Sequence, residues 1–225
     1  MLAERRIAEE LMDDPSLDPA IYRAVLRDLA QVNTVTLARR PTLKFLDRCA
    51  GDRRSFRLLD VGFGDGDMLR AIARWAERRG IEAELVGIDL NPNSRAVAQE
   101  HGSNIDYRTG DYADLAAEQW DCIISSLVAH HMSHEQLIAF LRFMEAHARR
   151  GWFVNDLHRH AVSYLGYPVL ARLAGWHPIV RSDGQTSIAR AYRPAEWKAL
   201  LSDAGIAGAV IQRHFPFRLC VSRIH

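Results

Sequence analysis

The chain has 225 residues, with 29 Lys and Arg against 28 Asp and Glu, a formal charge of +1 and 48% hydrophobic residues. That balance suits one α/β domain with ample core, and excludes a disordered chain or a nucleic-acid binder working through bulk charge. The longest run free of charged side chains, Cys122–His134, has 13 residues, short of the roughly 20 that span a bilayer.

The charged stretch Met1–Asp14 has no apolar signal region, and three scattered cysteines (Cys49, Cys122, Cys220) make neither a disulfide framework nor a metal-binding CxxC. Both features lead us to expect a cytoplasmic protein. Residues 1–50 read as a helical lid broken at Pro15 and Pro19. Ile21, Val25, Leu29 and Val32 share helical spacing, and a further helix runs from Thr42 to Cys49.

From residue 51 to 225 the pattern alternates. Phe56–Val61 is an apolar strand entering a Gly-rich turn, and Met68–Arg79 is a helix closed by Gly80. Glu84–Leu90 is a second strand, stopped at Asn91-Pro92-Asn93 and followed by a helix to about His101. Asn104–Arg108 is a third strand. Asp121–Leu127 is a fourth, apolar throughout as a strand buried on both faces should be. Ser133 and Gln136 form a capping-box signature for a helix lined by Leu137, Leu141 and Met144, and Gly151 marks its end.

Trp152–Leu157 is a fifth strand, and Ala161–Gly175 a helix bent at Pro168. Pro194 starts a last helix reaching Gly205. Ala209–His214 and Phe217–Arg223, separated by Phe215-Pro216, read as an antiparallel hairpin. The predicted fold is α/β: a seven-stranded, mostly parallel sheet with helices on both faces and a terminal antiparallel hairpin.

Asp60-Val61-Gly62-Phe63-Gly64-Asp65-Gly66 sets a carboxylate and three alternating glycines at a strand end. Glycine lets the backbone turn tightly and lets a ligand lie on the main chain. The dinucleotide fingerprint G-x-G-x-x-G fails, because Asp67 stands where its third glycine belongs. Asp60, Asp65 and Asp67 would repel a pyrophosphate but suit a ligand carrying an ammonium and a sulfonium.

This stretch resembles the D-x-G-x-G-x-G signature of the class I S-adenosylmethionine-dependent methyltransferases, and the likeness extends over about Phe56–Ile224. It implies a Rossmann-like fold with S-adenosyl-L-methionine as cofactor, held by Asp60, Gly62, Gly64 and Gly66. Asp89 would take the ribose hydroxyls, a charge-assisted pairing. Leu90, Asp111, Tyr112 and Leu127 would surround the adenine.

Ten histidines include six between His130 and His160. The segment Asp121–Met132 resembles the fourth-strand exit of small-molecule methyltransferases, which implies that Ser126, His130 and His131 meet the acceptor. In open α/β sheets ligands sit at the carboxyl ends of strands. A phenol or enol oxygen attacks better once its proton leaves, and histidine removes it near neutral pH. His131 is the leading candidate as base or substrate-orienting group, with the alternative that His130 and His131 only cap the turn.

Asn155-Asp156-Leu157-His158-Arg159 is similar to a segment of a bacterial subgroup associated with polyketide and phenolic-lipid pathways, giving Asp156 and His158 supporting roles. His134 and His147 read as helix surface. No H-E-x-x-H or C-x-x-C frame exists, and His130 and His131 would point apart if extended, so no metal is expected.

An insertion around 161–190, rich in Tyr164, Tyr167 and Trp176, is placed to cover an acceptor, with Arg190 for an acidic group or a neighbouring side chain. Asp28–Asn33 is placed to close over the cofactor. The combined expectation is O-methylation of a small aromatic or polyketide-like molecule by a monomer or homodimer that engages neither nucleic acid nor membrane. Alternatives are N- or C-methylation of a quinone-type or amine acceptor, or a binding module without catalysis. RNA modification is disfavoured by the charge balance and the missing N/D-P-P-Y/F motif.

Overall fold

The computed structural model describes residues 2–14, 16–102 and 104–225, so Pro15, expected at a helix break, lies outside the described residues. Seven strands form one sheet: β1 Ser55–Val61, β2 Glu82–Asp89, β3 Asp106–Thr109, β4 Trp120–Ser126, β5 Ala148–Leu157, β6 Val210–His214 and β7 Arg218–Ile224. Their order is β3-β2-β1-β4-β5-β7-β6. The first five are parallel and β7 runs antiparallel to both neighbours. The winding reverses between β1 and β4, which opens a crevice at their carboxyl ends.

Strand periodicity splits the core in two. Leu59, Ile123 and Trp152 face α5 (His134–His147) and α8 (Pro194–Ala204). Their chain neighbours Leu58, Ile124 and Phe153 face α2 (Arg39–Ala50) and α3 (Asp67–Arg79). Every one of these side chains is buried, as strands covered on both faces require. Among the described residues no helix is long and apolar enough to cross a membrane.

Two expectations are corrected. The Ser133 capping box forms, but α5 ends at His147 without glycine, and Gly151 lies inside β5 opposite Ile224. A side chain at Gly151 would strike the Arg223 carbonyl of β7, so close strand approach explains that glycine. Beyond α6 (Ala161–Leu173, containing Pro168), a helix absent from the sequence reading, α7, spans Pro178–Arg190. Its run Arg181-Ser-Asp-Gly-Gln-Thr-Ser lacks an apolar stripe. His177 and Pro178 supply its start, the His177 ring accepting from the Ile179 amide.

A roof crosses the carboxyl edge of the sheet. It consists of α1 (Pro19–Val35), α6, α7 and the segment before α1. Val25 and Val32 of α1 share a core with Ala171, Trp176 and Val180, and Asp28 accepts the His177 amide at 2.6 Å. Leu59→Ala in the sheet centre should cost about 2–5 kcal/mol. Leu173→Ala, on the 82% exposed end of α6, should stay within about 0.5 kcal/mol of wild type. Urea denaturation of both variants measures the contrast.

Candidate active site

Between sheet and roof lies a cavity of about 890 Å³. Its floor is the turn after β1, where Gly62, Gly64 and Gly66 all take positive φ. A side chain at Gly62 would run into Val128, and one at Gly66 into the Tyr107 ring. Gly64 differs: it lines the cavity, and its nearest neighbour is the Leu26 side chain of α1 at 3.6 Å. Gly64 therefore presents main chain to a ligand. Gly66 is absent from the cavity wall, so its expected ligand role is corrected to packing at the start of α3.

The acidic turn is more neutral than its sequence. Asp65 pairs with Arg70 at 2.9 Å and Asp67 with Arg39 at 2.8 Å. Asp60 stays alone: it is buried, lines the cavity, and its Oδ1 has no partner among the described residues. Burial, reinforced by the charges of Asp67 and Asp89, pushes its carboxyl well above the usual range. An unsatisfied buried carboxyl facing a cavity suits an ammonium group, which would restore its charged form.

Asp89 ends β2 and accepts amides from Gly64 and Asn91, each at 2.9 Å. Leu90 beyond it is 74% exposed at the cavity edge. Asp111 lines the same edge while capping a short turn through the Ala113 amide. Tyr112 packs on Phe140 and Phe143 of α5. At the β4 exit Leu127 takes φ +63° and donates its amide to the Asn155 carbonyl. Such strain in a non-glycine residue costs about 1–3 kcal/mol and persists where surrounding structure enforces it. Ser126 beside it has a buried hydroxyl without a partner among the described residues.

The histidine turn forms the far wall. His130 is buried; its backbone amide donates to Asp156 Oδ2 at 2.8 Å, and its Nδ1 lies 2.7 Å from Oδ1. Burial alone would lower its pKa, yet the carboxylates of Asp156 and Glu10 outweigh that and raise it to about 9. His131 is partly exposed, tilted against His130 with ring centroids 4.3 Å apart, and its Nδ1 meets Asp13 at 3.0 Å. Its Nε2 lies 3.8 Å from Glu10. The rings converge on Glu10 rather than diverging, because a 3₁₀ turn, Ala129–His131, replaces the extended strand expected there.

Two further parts of the chain hold this turn. Arg5 donates to the His130 and Met132 carbonyls at 2.6 and 2.9 Å and stacks over Tyr192. Glu10 accepts from the Ser187 hydroxyl at 2.9 Å, while the Leu11 and Met12 amides donate to Asp183. The segment before α1 is thus bound to α7 and to the histidines.

Residues 58–151 match the family model described as a methyltransferase domain. The plantazolicin methyltransferase BpumL, solved with a triazolic desmethylPZN analog and SAH, shares the fold at a TM-score of 0.68 and 14% identity, over 95% of this chain and 97% of that one. A methyltransferase domain of that description thus accounts for residues 58–151, on a fold shared with an SAH-bound methyltransferase.

Relatives of the chain include the ubiquinone biosynthesis O-methyltransferase of Azorhizobium caulinodans, 34% identical over 45% of this chain and 37% of that protein. The trans-aconitate 2-methyltransferase of Mycobacterium tuberculosis is 28% identical over 74% of this chain and 62% of its own length. The chain thus spans less than two thirds of either relative.

The cavity gathers Asp60, Gly62, Gly64, Asp89, Leu90, Asp111, Tyr112, Ser126, Leu127, His130 and His131, eleven of the residues singled out in the sequence. Three others need correction. His158 does not line it. Its amide donates to the Phe217 carbonyl, and burial, followed by the charge of Arg213, lowers its pKa to about 4. Arg190 is buried and faces backbone: Nε and Nη2 reach the His130 and His131 carbonyls at 3.3 Å, so it supports the turn rather than a substrate. Asp156 contacts the His130 amide and ring and is absent from the cavity wall. Unforeseen contributors are Glu10, Asp13 and Arg5, which no local motif marks.

The His130 shift sets a pH dependence. Its folded pKa is raised, so the stability it contributes is fully present below about pH 6.5 and is lost as pH rises through about 9. Asp156→Asn should flatten that part of the stability–pH curve. Urea midpoints measured from pH 6 to 9.5 check this; an unchanged slope would refute the pairing.

Proposed function

We propose that the chain transfers a methyl group from S-adenosylmethionine to an oxygen of a small aromatic or polyketide-like acceptor. The observation carrying this is one cavity with an unpartnered buried carboxyl, Asp60, on its floor and His131 with Glu10 on its far wall. When bound, the cofactor supplies an activated sulfonium methyl.

Asp60 and the Gly64 main chain would hold its amino-acid end, Asp89 its ribose diol, and Leu90, Asp111, Tyr112 and Leu127 its adenine. Asp89 already accepts two amides, so its carboxylate is aimed before ligand arrives. Ser126 offers a hydroxyl to whichever ligand reaches the β4 exit. His130, protonated between Asp156 and Glu10, is fixed and unsuited to accepting a proton. His131 and Glu10 face the acceptor, orient its oxygen and favour loss of its proton. Tyr167, Gly166 and Leu170 of the roof exclude water beside it.

A second reading, methylation of a carboxylate oxygen, is favoured by Arg218. This buried guanidinium lines the cavity, and its Nη1 has no partner among the described residues. The trans-aconitate methyltransferase relative supports the same reading.

Calorimetry should show S-adenosylmethionine binding, weakened at least tenfold by Asp89→Ala. His131→Ala should lower kcat/KM for a phenolic acceptor roughly a hundredfold while sparing cofactor affinity. A panel of phenols, carboxylic acids, quinols and amines identifies the acceptor. Cofactor binding without turnover of any member would favour a binding module, and no cofactor binding at all would end the proposal.

A further inference from the structure

We propose that Glu10, His130 and His131 bind a divalent transition-metal ion on the acceptor side of the cavity. Each offers one ligand atom, and the three atoms lie within 4.8 Å of one another. His130 Nε2 is 3.6 Å from Glu10 Oε1, and His131 Nε2 is 3.8 Å from Glu10 Oε2.

What separates this cluster from a chance meeting of charges is the other side of each ring. His130 Nδ1 lies 2.7 Å from Asp156, and His131 Nδ1 lies 3.0 Å from Asp13. A carboxylate at Nδ1 keeps a proton there and aims Nε2 outward, as metal-ligating histidines need, and at His130 the ion takes the place of the Nε2 proton, which leaves to solvent. Here both rings are arranged so, and both Nε2 atoms aim at one glutamate. Ser187 donates to Glu10 Oε1, which leaves Oε2 toward His131.

Charge supports the same reading. Glu10, Asp13 and Asp156 bring three carboxylates against two guanidiniums, Arg190 at 3.5 Å from Glu10 and 3.8 Å from Asp13, and Arg5 on the His130 carbonyl. Two imidazoles and one carboxylate suit zinc, cobalt, manganese or iron rather than magnesium or calcium, which prefer all-oxygen sets. The spacings, 3.6 and 3.8 Å to the glutamate and at most 4.8 Å overall, exceed the roughly 3 Å between ligands of an ion with bonds of about 2.1 Å, so the ligands draw in by up to about 2 Å on binding. Glu10, on the segment before α1, can supply that movement.

Glu10, Asp13, His130 and His131 all line the cavity, so the remaining coordination positions open onto it. The ion's use rests on the methyl-transfer reading, whereas its binding does not. An acceptor hydroxyl bound there becomes more acidic and releases its proton to solvent. The oxygen then bonds to the methyl carbon as the C–S bond breaks, its electron pair remaining on sulfur.

The test uses chelator-stripped full-length protein titrated with Co²⁺, followed by visible absorption and calorimetry. One equivalent should bind with a Kd in the micromolar range or below. His131→Ala and Glu10→Gln should each weaken binding at least a hundredfold, and Asp13→Asn, on a half-exposed side chain, roughly tenfold. Circular dichroism establishes that each variant is folded. Absence of saturable one-equivalent binding in wild type would overturn the proposal. So would unchanged affinity in folded His131→Ala or in Asp13→Asn. S-adenosylmethionine affinity measured on the same samples separates the two claims: cobalt binding without cofactor binding would sink the methyl-transfer reading alone, and the reverse would sink only the metal.

Discussion

A carboxylate buried at the end of β5 governs much of this molecule. Asp156 is almost fully enclosed, and a charge in such a place must be met by donors. It accepts from the Leu157 and His130 amides and meets the His130 ring, which fastens the exit of β5 to the turn leaving β4. With His130 held there, His131 is carried to the cavity wall. Carbonyls at this turn are then secured by Arg5 and Arg190, from opposite ends of the chain. One ionic requirement thereby dictates where the histidines point and why the N-terminal segment lies across the sheet edge.

The cavity joins two chemically different halves. Near β1 and β2, binding groups come from strand ends and are set before the roof is added: the Gly64 main chain, Asp60 and Asp89. On the opposite side the wall is composite, drawing on the β4 turn, the segment before α1, and α6 and α7. On the proposed methyl-transfer reading, a shared cofactor and a particular acceptor call for this division. The first half is tied to backbone geometry; the second is assembled from variable loops and helices.

The same division explains what could be read in the sequence. Strands, the glycine turn and the acids Asp60 and Asp89 were legible because each is local: an apolar run, a turn and a carboxylate at fixed spacing. Helix α7 was not, since its polar face makes its period weak and its start rests on His177 and Pro178. His158 misled because it leaves β5 only two residues after Asp156. Its amide instead bonds to the Phe217 carbonyl in the β6–β7 turn. Glu10 and Asp13 could not be found at all, because they meet the histidines across more than a hundred residues of intervening chain.

That long reach has a consequence for how the protein is made. Glu10 leaves the ribosome early, but Asp183 and Ser187, which anchor its segment, follow about 170 residues later. At about 5–20 residues per second that is roughly 10–35 s of synthesis. For that interval the sheet can grow strand by strand while the segment around Glu10 has no docking place. The segment before α1 therefore settles only after α7 has been made, and that wall of the cavity closes well after the strands it faces.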